Sequence, residues 1–270
     1  MAAASAAVNV AGSLRPRVPA AMLGRIGLEL YTVRNEMQVN VEDTLDKVAA
    51  IGYRDVEFAG YFGREPAALR AKLDTLRLEA VASHVSLKDV ETNWDSTASA
   101  AKTLGHKWLI VASLERGAFA SVASLKAVAA RLNEIGRRAA GAGLRFGYHN
   151  HSGEFTLVEG AVPFDVLLSE TNSKLVDFEM DVYWITKGGA DPLAYFAKYP
   201  GRFHLIHAKD SSGPPALEMR DVGAGTIDWK RVFAARAQAG IERVFVEHDN
   251  PKDAWASVRA SYKYLRDLVF

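Results

Sequence analysis

The chain has no cysteine. Disulfides, thiolate zinc sites and a thiol nucleophile are therefore excluded, and any metal has to rest on imidazole and carboxylate ligands. Absent cysteine leaves the compartment open. An excess of one charge is missing too: 33 Lys and Arg against 32 Asp and Glu give a formal net charge of +1. A balance of that kind offers no broad footprint for a phosphate backbone or an anionic membrane surface, so neither nucleic acid nor membrane is an expected partner. There is no apolar run long enough to span a bilayer. There is also no G-x-G-x-x-G at a strand-to-helix turn, which argues against an open doubly wound sheet, the runner-up fold.

What is present suits one large domain. At 270 residues and 49% hydrophobic content the chain can bury a large core. The opening MAAASAAVNVAGSLRPRVPAAMLGR reads as a flexible extension over residues 1–24. Its small-residue run also suits the remnant of a secretory signal lacking the basic region. The expected location is cytoplasmic, or periplasmic if that run is part of a signal. From residue 26 onward, eight short β-branched or aromatic runs alternate with helical periodicity. They are IGLELYTV (26–33), DVEFAGY (55–61), EAVASHVSL (79–87), WLIVAS (108–113), LRFGYHNH (144–151), LVDFEMDVYW (175–184), FHLIHAKD (203–210) and RVFVEHD (243–249). Between them, VEDTLDKVAAIG sets Val41, Leu45, Val48 and Ile51 on one helical face and stops at Gly52. Leu125, Val128, Leu132 and Ile135 repeat the scheme within residues 124–143. No linker divides the repeats. The expected fold is α/β, a single-domain (β/α)₈ TIM barrel over residues 25–270.

In such barrels chemistry collects at the carboxyl ends of the strands. His84, His149, His151, His207 and His248, five of the seven histidines, fall there, leaving His106 and His204. Alternation along a strand puts His149 and His151 on one face, free to meet carboxylates from neighbouring strands. Glu29, Arg34, Glu57, Glu154, Glu179, Asp181, Lys209, Asp210, Glu247 and Asp249 lie at the same rim. A divalent metal wants such a set of N and O donors converging from separate strands. Asp181 and Glu247 each end a strongly apolar run, where an unpartnered charge would be expensive. For Glu57 and Glu179 a structural ion-pair role stands beside a site role. Trp184 is either packing or an apolar wall for a sugar ring. DVGAGTIDW (221–229) either offers backbone N–H groups to an anion or is a turn that positions Trp229.

The stretches IGLELYTVR, YRDVEFAGY, YHNHSGEF, MDVYWITKGGADP, HLIHAKD, DVGAGTIDW and VFVEHDNP together resemble the sugar phosphate isomerases and epimerases of the xylose isomerase-like TIM-barrel superfamily. The resemblance covers about residues 26–268 and implies one divalent cation (manganese, cobalt, magnesium or zinc). It places Asp181, His207 and Glu247 among the ligands. Many relatives carry a glutamate on strand five, where this chain reads HNH, which puts His149 in the ligand slot and His151 beside it. That departure puts two-glutamate epimerisation in doubt.

The implied activity is isomerisation or epimerisation of a sugar or sugar derivative through a metal-stabilised enediolate. Glu247 would be the base, His151 or Lys209 would move or hold a proton, and Glu29, Glu57, His84, Glu154 and Trp184 would hold substrate. The alternative is a metal-dependent lyase on the same scaffold, dehydrating an inosose or cleaving a 3-keto-glycoside, since elimination can run with one base. A sugar-binding barrel without chemistry ranks below both. Nuclease activity, found among apurinic endonucleases that share this barrel, ranks low on charge. Relatives are often dimers or tetramers, so a homo-oligomer stays open.

Overall fold

The computed structural model describes residues 21–270. Eight parallel strands close into a barrel: β1 (Gly27–Glu29), β2 (Asp55–Phe58), β3 (Glu79–Val85), β4 (Trp108–Val111), β5 (Arg145–His149), β6 (Asp177–Asp181), β7 (Phe203–Ala208) and β8 (Arg243–Val246). Each pairs with its neighbour in the chain, and β8 returns to β1 in the register Gly27 to Phe245 and Leu28 to Val246. Closure sets the doubly wound sheet aside. Helices cover the outside, among them Val41–Ile51, ended by Gly52 at φ 124°, and Val122–Gly141. Val41, Leu45, Val48, Leu125, Val128, Leu132 and Ile135 are buried, as the periodicity requires, while Ile51 at the end of its helix is only partly buried. None of the described helices is long and apolar enough to cross a membrane.

All eight expected runs contain a strand, and all eight outlast it. The excess lies mainly at the carboxyl end, with one or two residues at the amino end of β1, β5 and β6. At β1 the chain turns into a 3₁₀ segment at Leu30–Val33, and at β6 it turns into the helix Val182–Lys187. The apolar pattern continues through these turns because they stay buried, so hydrophobicity alone overshoots the ladder. Of the extension expected over residues 1–24, residues 1–20 lie outside the described residues. Ala21 exchanges two backbone hydrogen bonds with Phe270, at 2.8 and 3.0 Å, which ties that end of the segment to the barrel.

The barrel interior is stratified. At the amino ends of the strands Asp177 accepts from Trp108 Nε1 at 2.7 Å and from Arg145 Nε at 2.6 Å. Asp55 is held by Arg25 Nε at 2.7 Å and lies 3.4 Å from Arg243 Nε. His204 belongs to this belt, 3.2 Å from Asp177. Above it lies a dry layer of Val81, Ala82, Trp108, Ile110, Leu205 and Phe245, each large side chain worth about 1.5–3 kcal/mol of burial. Two glycines make room for it. A Cβ on Gly27 would lie 2.4 Å from the Phe245 ring, and one on Gly147 would lie 2.7 Å from Ile110 Cδ1. His106, outside the site, is a buried structural residue whose Nδ1 faces the Ala80 carbonyl at 2.9 Å.

This layer makes a prediction. Gly27→Ala should lower stability by about 1–3 kcal/mol through overpacking, measured by urea denaturation. Gly27→Ala combined with Phe245→Leu should lose less than the two single changes added together. Strict additivity would mean that the two residues do not share this space.

Candidate active site

Above the dry layer the inward faces change from carbon to charge. Strand alternation turns Glu179 and Asp181 inward from β6 and His149 from β5, with His207 on β7. The ladder sets His149 opposite Glu179, Asp181 opposite His207 and Glu29 opposite Glu57. Glu179 is the hub of the group. Its Oε2 lies 2.9 Å from His84 Nε2, 3.1 Å from His149 Nδ1 and 3.1 Å from His207 Nε2. Glu57 Oε2 approaches the same His207 nitrogen at 2.7 Å. Burial pushes the Glu179 carboxyl up, but the His207 charge and the imidazole hydrogen bonds overturn that and hold it well below the usual range. Burial and the Glu179 charge push Glu57 up to about 8. Glu29 is pushed well up by burial and by Glu57. Only part of this layer's carboxyl charge is therefore carried at neutral pH.

An ionised carboxylate can only accept a hydrogen bond, so the imidazole nitrogen that faces Glu179 carries the proton. That fixes the other nitrogen of each ring. His149 Nε2 points to Asp181 Oδ2 at 3.6 Å, and His207 Nδ1 points to Glu247 Oε2 at 2.7 Å. For His149, an anchored N–H below and a free ring nitrogen above is how metal-binding imidazoles are commonly oriented. His207, between Glu179 and the ionised Glu247, is driven well up by those carboxylates against the effect of burial and carries a proton on Nδ1 as well, which a cation would displace. Asp181 is itself held from three directions. Its Oδ1 accepts from the Trp184 N–H at 2.9 Å, starting the helix Val182–Lys187. Its own N–H donates to Asn150 Oδ1 at 3.0 Å, and Asn150 Nδ2 donates to its carbonyl at 3.4 Å. Within HNH, His149 thus faces the axis while Asn150 clamps the next strand.

Lys209 sits at the rim, buried, with Nζ 2.9 Å from Asp181 Oδ2, 2.7 Å from Glu247 Oε2 and 2.7 Å from Asp249 Oδ1. Burial would lower its pKa, but these three carboxylates drive it well above the ordinary value, so the ammonium stays charged. Burial raises Glu247, yet Lys209 and His207 hold it well below the carboxylate range. Asp181 is pushed up to about 6 by burial, against the pull of Lys209.

The donor set fits a divalent ion. Ligand atoms of Asp181, His207 and Glu247 lie within 4.8 Å of one another. Asp181 Oδ2 is buried and receives no well-aligned hydrogen bond, although Lys209 stands close to it. His149 stands at the edge of this trio and groups more tightly with His84, Glu179 and His207. The two oxygens best placed for a cation, Asp181 Oδ2 and Glu247 Oε2, are the ones Lys209 touches, so positive charge is already favoured at that point.

The remaining expected residues divide. His84, His149, His151, Lys209 and Glu247 line a central cavity of about 370 Å³, together with Tyr31 and Arg34. His151 packs edge-on against His149, ring centroids 4.9 Å apart, and burial with the Lys209 charge lowers its pKa to about 4. Glu29 and Glu57, expected to grip substrate, do not reach the cavity. They are fully buried beneath the imidazoles because the inward positions of β1 and β2 come lower in the barrel. Glu154 also leaves the mouth: it is buried on the 3₁₀ turn Gly153–Phe155, where its carboxylate takes the Tyr148 hydroxyl on the outer side of β5. Trp184 faces a neighbouring cavity with Met219 and Asp249, its ring 5.5 Å from that of His151. Asp210 turns away as well. Its Oδ2 accepts from the Gly223 N–H at 2.8 Å and from Trp229 Nε1 at 2.9 Å, and its Oδ1 from the N–H groups of Ser211 at 2.8 Å and Ile227 at 3.1 Å. The glycine-rich loop does bind an anion, namely this internal carboxylate, and it positions Trp229.

Sequence reasoning left Glu179 between two roles and passed over Asn150 and Tyr31. The two-residue spacing from Asp181 was the available signal for Glu179. Asn150 and Tyr31 carried none.

Comparison with known proteins agrees with the barrel. A family described as xylose isomerase-like TIM barrel matches residues 45–268. An inosose dehydratase of Lacticaseibacillus casei is 24% identical over 241 residues, covering 76% of this chain and 80% of that protein. The crystal structure of a sugar phosphate isomerase/epimerase from Parabacteroides distasonis superposes with a TM-score of 0.80 at 26% identity, covering 91% of this chain and 95% of that one. The IOLI protein, solved with a bound zinc atom, gives a TM-score of 0.71 at 16% identity over 88% of this chain and 95% of its own.

The Asp210 latch is testable apart from any reaction. Asp210→Ala strands buried N–H groups and should cost about 2–5 kcal/mol, with faster hydrogen exchange in residues 221–229. Unchanged stability and protection would mean that Asp210 does not hold the loop.

Proposed function

The chain belongs to the xylose isomerase-like TIM-barrel family, and on that premise we propose that it is a divalent-metal-dependent lyase acting on a keto-sugar or keto-cyclitol. One observation carries the reading. The carboxylate at the mouth and the ammonium beside it form one adjacent acid-base pair, Glu247 and Lys209 at 2.7 Å, while β5 presents His149 in place of a second carboxylate. Epimerisation needs groups on opposite faces of a ring. Elimination needs one base and one nearby acid. The dehydratase name of the relatives that match three quarters of this chain points the same way.

The residues that would hold the ion are His149, Asp181, His207 and Glu247; when bound, it would supply Lewis acidity toward a carbonyl oxygen, as in other metal-assisted carbonyl chemistry. Glu247, kept ionised by Lys209 and His207, takes the proton α to the carbonyl. The contacts from Lys209 and His207 both fall on Oε2, which leaves Oε1 for that transfer. The electron pair released at carbon then expels the β-oxygen substituent. Lys209 protonates the departing oxygen; once the protonated Glu247 carboxyl turns its O–H toward Nζ, the amine takes that proton back, so the pair ends as it began. His84 and His151, on the cavity wall, hydrogen-bond substrate hydroxyls.

The substrate is read as unphosphorylated. The loop amides are spent on Asp210, and Arg34 is committed to the carbonyls of Tyr31 and Asp249 and to Asn250 Oδ1. The isomerase or epimerase reading retains one support, the name of the Parabacteroides distasonis chains at 26% and 27% identity.

Two outcomes are expected. Calorimetric titration of the chelator-treated protein with manganese, cobalt or zinc should show one tight site, weakened about 10–100-fold by Asp181→Asn or His207→Ala. An unaltered titration in both variants would place the ion elsewhere. With a keto-inositol or a 3-keto-glucoside, the metal-loaded protein should form an unsaturated ketone, followed by ultraviolet absorbance and mass. Glu247→Gln should lower kcat about 10²–10⁴-fold. Interconversion without loss of mass would favour the isomerase, and no turnover of any ketose or keto-sugar would favour a binding protein.

A further inference from the structure

The central cavity does not end at the imidazoles. A wider cleft of about 660 Å³ lies over the carboxyl ends of β2, β3 and β4. The two spaces share Tyr31, His84, Ala112 and Ser113 in their walls. The far end of a ligand seated against Glu247 and His151 would face these shared walls, with the cleft on their other side. The central space is near the lower end of the range of about 300–1,000 Å³ that ligand pockets span, and the cleft is the larger of the two.

The walls of the cleft describe its occupant. Ala59, Gly60 and Ala100 are small, and a Cβ added to Gly60 would meet nothing within 4 Å. Hydroxyls of Ser86, Ser96 and Thr97 line the space, and no lysine or arginine does. Its one carboxylate is Asp89, which accepts from Ser86 Oγ at 2.6 Å and from Asn93 Nδ2 at 3.0 Å. Away from the His84 rim a phosphate or carboxylate meets no cationic side chain, whereas a neutral hydroxylated ring finds donors and acceptors. Tyr31 stands at the junction, 40% exposed, with the Arg34 guanidinium 4.1 Å from its ring centroid. An exposed ring between two adjoining cavities is a stacking platform for a sugar.

We infer that the cleft receives a second, uncharged, hydroxyl-bearing ring joined to the reacting ring through a glycosidic oxygen, so that the substrate is a two-ring keto-glycoside. The inference rests on the elimination reading and names its leaving group. With the ketone two carbons from the anomeric carbon, the proton leaves the carbon between them and a carbon–carbon double bond forms. The bond from the anomeric carbon to the glycosidic oxygen breaks, and the second ring departs as an alcohol carrying one proton. No oxidant or reductant is required.

The test compares two probes on the metal-loaded protein: a β-linked disaccharide with a 3-keto group on its non-reducing ring, and the matching methyl 3-keto-glucoside. Both are followed by absorbance of the unsaturated ketone and by the alcohol released. The disaccharide should be preferred in kcat/KM by about tenfold or more. Ala100→Phe and Thr97→Phe, each filling the cleft and each checked by thermal unfolding, should erase that preference while changing the methyl glycoside less than twofold. Equal use of both probes by the wild type, or equal losses on both in the two folded variants, would overturn the inference. If neither probe is turned over, the same comparison is made by binding calorimetry. Tighter disaccharide binding that Ala100→Phe abolishes would uphold the two-ring cleft while the elimination reading falls; equal binding would overturn the cleft as well.

Discussion

One buried carboxylate oxygen shared by three imidazoles sets the geometry of the barrel mouth. Glu179 Oε2 takes His84, His149 and His207 within 3.1 Å. Three rings on separate strands would otherwise be free to turn about their own side-chain bonds. Sharing a single acceptor fixes which nitrogen of His149 and of His207 faces down, and hence which faces the rim. Dry surroundings raise the cost of burying that charge, and the three charge-assisted contacts offset it.

Dryness has its own cause lower down. The layer of Ile110, Leu205 and Phe245 closes the barrel beneath the charges, and it fits only because Gly27 and Gly147 yield the space that a Cβ would take. In a medium of low effective dielectric the interactions above it are stronger and an unpaired group is more expensive. This accounts for the opposed behaviour of neighbouring carboxyls, with Glu57 pushed up to about 8 while Glu179 is held low. The chain as a whole is close to neutral, but acidity and basicity are gathered into one buried column, where a cation finds ligands and a proton finds partners.

The same economy governs the rim. Asp181 ends a strand, caps a helix and keeps one oxygen facing Lys209, while Asn150 fixes its backbone. Asp210, one residue beyond Lys209, faces the other way and gathers the loop of residues 221–229 around its carboxylate. Adjacent residues thus serve the mouth and its outer support, because successive side chains of an extended chain point to opposite sides. Composition does not record which side is which.

The sequence by itself determined the class of fold and the start of each strand to within two residues. Alternating strand and helix periodicity has one common closed solution at this length, and the histidines at the ends of β5 and β7 announced the mouth. The family resemblance carried by MDVYW, HAKD and VEHD added the expectation that Asp181, His207 and Glu247 lie together, as they do. Only the tertiary structure decided depth. Glu29 and Glu57 carry the same local pattern as Glu247 but lie a layer lower, and Glu154 turns outward to Tyr148. Depth follows from strand stagger around a closed barrel, which no local spacing records. The hub role of Glu179 and the latch at Asp210 were likewise decided there, because each depends on partners many residues away whose approach the closed sheet alone enforces.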